Sequence, residues 1–143
     1  MANGNPSVNR SLKDKDFDRI DHALGRPVDP MRETYRNHFA VEIGTRLASS
    51  FSHSTHWRLD GAREEMAFYS VTREGRQALA EHLKVIGDPW KSYEVQFNGF
   101  ATIVSAISSG NAKYQKYLDI SDCYPSLSFG KFVREATVRR VDA

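Results

Sequence analysis

His53 and His56 form a His-x-x-His pair, the first spacing in this chain that invites a metal reading. Two imidazoles this close hold an ion only if further ligands arrive from elsewhere, and His38 and Glu64 are the nearest in sequence. A zinc site takes three or four ligands. No His-Glu-x-x-His frame and no cysteine pair accompanies the histidines. The expectation is a solvated loop with stray imidazoles, with no metal and no cofactor. Cys123 is the single cysteine and follows Asp122, whose negative charge does not favour the thiolate that a nucleophile needs. It reads as a small packed side chain near a helix end. Ser108-Ser109-Gly110-Asn111 resembles a phosphate loop but lacks the Gly-Lys-Ser/Thr ending, so helix capping accounts for it. There is no Gly-x-Ser-x-Gly elbow and no recognisable carboxylate pair.

The cations are more informative. Arg32 and Arg36 share a turn of an expected helix. Arg58 and Arg63 flank an expected β-wing, and Arg73 and Arg76 open the helix after it. Lys113, Lys116, Lys131, Arg134, Arg139 and Arg140 recur further on. Arginine's planar fork suits phosphate, and helix and wing arginines on one side would follow a nucleic-acid backbone. Arg32, Arg36, Arg58, Arg63, Arg73, Arg76, Lys113, Lys116, Arg139 and Arg140 are therefore the candidate partner-binding set. The competing reading is a solvated face whose field is cancelled by Glu64, Glu65, Glu74 and Glu135.

Charge bounds the possibilities. The chain has 143 residues with 20 Lys/Arg against 18 Asp/Glu, a net charge of +2. Residues 1–30 hold five of each sign, residues 31–90 eight of each, and residues 91–143 seven basic and five acidic. The excess lies wholly in the C-terminal part. It is too small for the footprint of a dedicated nucleic-acid binder and has the wrong sign for a carboxylate mimic of DNA. No apolar run approaches the roughly 20 residues that span a bilayer. The opening residues lack an apolar core followed by a cleavage site. With a single cysteine, the expectation is a cytoplasmic protein without membrane contact.

The elements that must position these groups divide the chain at about residue 90. Residues 1–12 read as a flexible arm. Residues 13–89 read as a helical lobe with a two-stranded wing. Phe17, Ile20 and Leu24 mark a first helix stopped by Gly25 and Pro27; the bland reading staples it to the body, the sharper one lets it detach and dock on a partner. Met31, Tyr35, Phe39 and Ile43 suggest a second helix, and Leu47 and Phe51 a shorter third. Residues 56–59 and 67–71 are the wing strands, turning at Asp60-Gly61, and Thr72 caps a helix over residues 73–84. The lobe looks like a winged helix that lacks a clear recognition helix. Residues 90–143 read as a ββαβ lobe. Asn98-Gly99 suits a two-residue type I′ turn, which places Phe97 opposite Phe100, Val95 opposite Thr102 and Tyr93 opposite Val104. A helix over residues 112–119 is expected to cover that face with Tyr114, Tyr117 and Leu118. Leu127 and Phe129 anchor a loop, and residues 136–141 form a third strand. The fold class is thus α+β.

Tyr-Arg-Asn-His-Phe (35–39) and Phe-Tyr-Ser-Val-Thr-Arg-Glu-Gly-Arg-Gln-Ala-Leu (68–79) resemble elements of small conserved proteins of unknown function from alphaproteobacterial phages and prophages. The stretches 97–104, 111–118, 122–125 and 137–141 match the second part of that pattern. The stretch 40–59 departs from it. The resemblance implies a mobile-element origin and supplies no activity. The leading expectation is a non-catalytic binding protein that inhibits or modulates a host nucleic-acid machine, in the manner of an anti-CRISPR protein. Its partner would be a host or phage nucleoprotein complex, with DNA or RNA touched directly in one version. One alternative is a winged-helix-like DNA-binding regulator. The other is a small enzyme gathering His38, His53, His56 or Cys123 into a pocket.

Overall fold

A computed structural model describes residues 4–141. The first three residues of the expected arm, and residues 142–143 of the expected second lobe, lie outside the described residues. The fold is α+β, with two three-stranded antiparallel sheets.

The first lobe starts at Asp14, whose carboxylate accepts the N–H groups of Asp16 and Phe17 and so caps α1 (Lys15–Ala23). The helix ends where Gly25 and Arg26 take φ of +82° and +53°. The wing strands are β2 (Trp57–Arg63) and β3 (Met66–Val71). A strand β1 (Phe39–Glu42) adds to β3, giving the order β1-β3-β2. Helix α2 (Arg46–Ser52), capped by Thr45, and α3 (Arg73–Val85), capped by Thr72, complete the lobe. Ile20 and Ala23 of α1 with Leu24 just after it, Ala48 and Phe51 of α2, and Leu79 and Leu83 of α3 belong to one core over one face of the sheet. Helix α1 is thus stapled to the body by one buried face, as expected, while Lys15, Asp16 and His22 on its outer side stay exposed. Phe51 stacks on Trp57 at 4.0 Å, with Phe39 and Tyr69 edge-on to the pair. Gly75 is needed here: a Cβ would stand 2.5 Å from the His56 carbonyl oxygen.

Three expectations fail in this lobe, each for a non-local reason. The helix expected over residues 31–43 is absent; residues 31–38 are irregular and lead into β1. Other parts of the chain satisfy this backbone. Asn5 donates to the carbonyls of Asp29 and Glu33, and Arg76 to those of Pro30 and Arg32. The Asn37 amide exchanges two hydrogen bonds with the backbone of Val71, as a paired strand residue would. Secondly, the turn expected at Asp60-Gly61 is a β-bulge within β2, and the hairpin reverses at Glu64-Glu65, with Glu64 at φ +56°. The side chain of Asp60 holds the bulge by accepting from Arg58 and Ser70. Thirdly, residues 4–12 of the expected flexible arm are packed: Val8 and Leu12 are buried, and Ser7 bridges to Pro27. The wing is present, but among the described residues only a short turn, and no recognition helix, separates α2 from it.

In the second lobe the hairpin of β4 (Lys91–Phe97) and β5 (Phe100–Ala106) has the expected register throughout. Asn98 and Gly99 take φ of +57° and +82°, as a type I′ turn requires. Strand β6 (Thr137–Val141) pairs with β4, so the order is β5-β4-β6. Helix α4 (Ser109–Ile120), capped by Ser108, is followed by a 3-10 turn at Ser121–Cys123. A further helix, α5 (Phe129–Glu135), lies where a loop was expected, capped by Ser128. Its Phe132 is fully buried against Phe97 and Tyr117. Tyr114 and Leu118, expected beneath α4, point outward. The helix takes the rotation that buries Ala112, and Tyr117 donates to the Leu127 carbonyl from the inner side.

Candidate functional site

The junction between the lobes is built on charge. Asp21 lies on the apolar side of α1, four residues after Phe17 and three before Leu24, and its side chain is completely buried. A carboxylate there needs partners. Arg10 supplies two hydrogen bonds, at 3.0 and 2.6 Å, and Arg26 a third at 3.1 Å. Arg26 also bonds Asp18 at 2.7 Å, and that partner holds the Asp18 carboxyl below its usual pKa while raising that of Arg26. Arg10 continues to Asp88 at 3.2 Å, just before the linker Pro89-Trp90, and to the Pro27 carbonyl. Burial raises the pKa of Asp88 despite that cation. Ser105 of β5 donates to the Ser7 carbonyl at 2.9 Å. Residues 5–12 thus form a strap across both lobes.

Beside the strap lies a cleft of about 400 Å³. The 28–32 segment, α3, the linker and β6 all contribute to its lining. Trp90 stands among Arg32, Lys84, Lys91 and Arg140, with Asp29 and Asp88 as the acidic members. Both acids have other commitments: Asp88 is bonded to Arg10, and Asp29 accepts the Met31 N–H. The cleft has a partly apolar wall and a positive rim, which suits an anionic group carried on an apolar body.

The candidate cations do not form one surface. Arg32 and Arg140 meet at the cleft, where Lys84 and Lys91, both passed over in the sequence, join them. Arg76 is not a contact residue. Its guanidinium donates to two carbonyls and to Thr34, and its burial lowers its pKa. Arg36 donates to the His38 carbonyl, and Lys113 to that of Val133 on α5. Arg139 forms a bidentate pair with Glu94 on the outer face of the second sheet, which lowers the pKa of Glu94. Arg58 is exposed but bonded to Asp60. Arg63 and Arg73 are exposed, and Lys116 is half-buried. The tip of the wing carries Glu64 and Glu65, which repel a phosphate backbone.

The histidines are likewise dispersed. His53 bonds the Ser49 carbonyl at the end of α2, and His38 stacks on Phe68 on the outer face of the first sheet. Cys123 is exposed in the second lobe, where a packed side chain was expected. Among the described residues no three His, Cys, Asp or Glu side chains are grouped to hold a metal. The sequence reading missed a patch on α4 and α5. Tyr114, Leu118 and Phe129 are 47%, 50% and 39% exposed, and Tyr114 packs edge-on to Phe129 at 5.7 Å. The signal was available: α4 carries more apolar side chains than one face can bury. Asp21 had a signal too, as an acid inside an apolar stripe.

A scan against protein-family models, a search of curated proteins and a search of solved structures each found no match. Among the described residues no helix is long and apolar enough to cross a membrane.

Proposed function

We propose that this chain is a non-catalytic binding protein of phage or prophage origin that docks on a nucleic-acid machine of its bacterial host and inhibits or modulates it. An RNA-guided defence complex is the concrete target, and the bacterial cytoplasm the place. The observation that carries the reading is the solvent-facing Tyr114–Leu118–Phe129 patch. Its rings pack on one another, Tyr114 and Tyr117 edge-on to Phe129, and aromatic anchors dominate interface energies. Arg134 is exposed on the same helix as Phe129, so a cation capable of meeting phosphate accompanies the apolar anchor. The arginines bonded to their own backbone support a docking role over sequence readout, since a fork engaged at Pro30 and Arg32 cannot reach a base edge.

The test is target cleavage by a reconstituted RNA-guided complex in the presence of excess protein. Wild type should suppress cleavage, and Phe129→Ala with Leu118→Ala should relieve it. Undiminished cleavage at excess wild-type protein, across the principal classes of complex, overturns the reading. Direct duplex binding that weakens steeply with salt would replace it with a transcription regulator.

A further inference from the structure

The two sheets have four edges between them, and three are guarded. Strand β1 has only four residues. Strand β2 carries a bulge and the charges of Arg58, Asp60 and Arg63. Strand β6 carries Arg139 and Arg140. Short length, bulges and charge are the devices by which natural sheets prevent edge-to-edge pairing. Strand β5 has none of them. It reads Phe-Ala-Thr-Ile-Val-Ser-Ala over seven residues, with no charge, no proline and an unbroken register against β4. Phe100 at one end is 74% exposed, and Ile107 just past the other is 54% exposed.

The turn geometry says which backbone groups are free. Phe97 and Phe100 flank a two-residue turn and so exchange hydrogen bonds, and bonded pairs then alternate along the ladder. Phe100, Thr102, Val104 and Ala106 direct their N–H and C=O toward β4. Ala101, Ile103 and Ser105 direct theirs outward, where no strand among the described residues pairs with them.

We infer that this edge pairs with β5 of a second copy of the chain, antiparallel and across a two-fold axis at Ile103, merging two sheets into one. A two-fold contact sets each strand against itself. Ile103 then faces Ile103, Ala101 faces Ser105, Thr102 faces Val104, and Phe100 faces Ala106. Each outward-directed N–H then meets an outward-directed C=O of the other copy in hydrogen-bonded register. No like charges oppose, because the strand has none. A charged partner strand gains nothing here, which favours a second copy over a foreign segment. Ser105 keeps its bond to the Ser7 carbonyl of the strap, and the residue that it meets across the axis is the small Ala101.

Light scattering after size exclusion, from micromolar to millimolar protein, tests the inference together with amide exchange. Wild type should have twice the mass of one chain, and the amides of Ala101, Ile103 and Ser105 should be as protected as those of Thr102 and Val104. Ile103→Lys places two ammonium groups at the axis and should halve the mass, releasing only the outward amides. Protection of Thr102 and Val104 in that variant reports that the lobe is still folded; if it is lost, Ile103→Pro, which removes only an outward N–H, takes its place. A wild-type monomer throughout the range, fast outward amides, or a dimer that survives the substitution at Ile103 overturns it.

Discussion

The two lobes share a plan, three antiparallel strands with helices on one face, yet they are held by different forces. The first has a wide core of aromatic and aliphatic side chains plus a buried charge network through Arg10, Asp21, Arg26, Asp18 and Asp88. The second has a smaller core around Val95, Phe97, Ala112 and Phe132, and its Arg139–Glu94 pair lies on the sheet surface with the arginine largely exposed. The contrast shows where non-local information enters. In the first lobe, side chains far apart in sequence decide backbone conformation. In the second, the dihedral preference of a two-residue turn suffices to account for the register of the hairpin.

Asp21→Ala should have the largest effect. It leaves Arg10 and Arg26 facing a buried void, at a cost of about 4–5 kcal/mol. Amide exchange should show the loss in β3 first and leave β4 protected. Simultaneous loss in both strands would make the molecule one cooperative unit and erase the distinction between the lobes.

Phe132→Ala is the mirror experiment. It empties the centre of the second core and should cost about 3–4 kcal/mol. Exchange should accelerate in β4 and β5, while the Trp57 environment stays native by fluorescence with Trp90→Phe as background.

Acid titration sharpens the comparison further, because the first lobe has two half-buried carboxylates, Asp18 and Asp88, whose pKa values are shifted in opposite directions. The folded pKa of Asp88 is raised above the reference of 3.8, so as pH falls from neutrality its protonation adds stability above that value. The folded pKa of Asp18 is lowered, so its contribution is present above 3.8 and lost as pH falls through its folded pKa, below that value. Asp88→Asn should therefore make the acid side of the stability curve steeper, measured by urea unfolding at stepped pH. A curve unchanged in shape would remove Asp88 from the titration.

The smallest effect has the opposite sign. Thr102 buries its hydroxyl in the second lobe with no hydrogen-bond partner. Thr102→Val keeps the branched shape and should raise stability by about 1 kcal/mol. A decrease in the urea midpoint would mean that the hydroxyl is satisfied in solution.

Much of the second lobe could be read from residue types, and much of the first could not. Asn98-Gly99 between alternating apolar residues determines a hairpin by itself, because few dihedral combinations let those two residues turn the chain. Asp14, Thr45, Thr72 and Ser108 likewise mark helix starts through contacts only a few residues long. Residues 31–38 carry a helical spacing of apolar side chains yet form no helix, because Asn5 and Arg76 satisfy their carbonyls from afar. The rotation of α4 was equally invisible, since it depends on a helix, α5, whose seven residues give little periodicity of their own. The strap is the clearest case. Its polar composition describes a loose arm, and only the assembled core, with Asp21 buried and needing a cation, makes Arg10 indispensable. Local dihedral preference and capping were legible in the chain; the pairing of buried polar groups awaited the tertiary structure, because desolvation creates the need for a partner only once the core has closed.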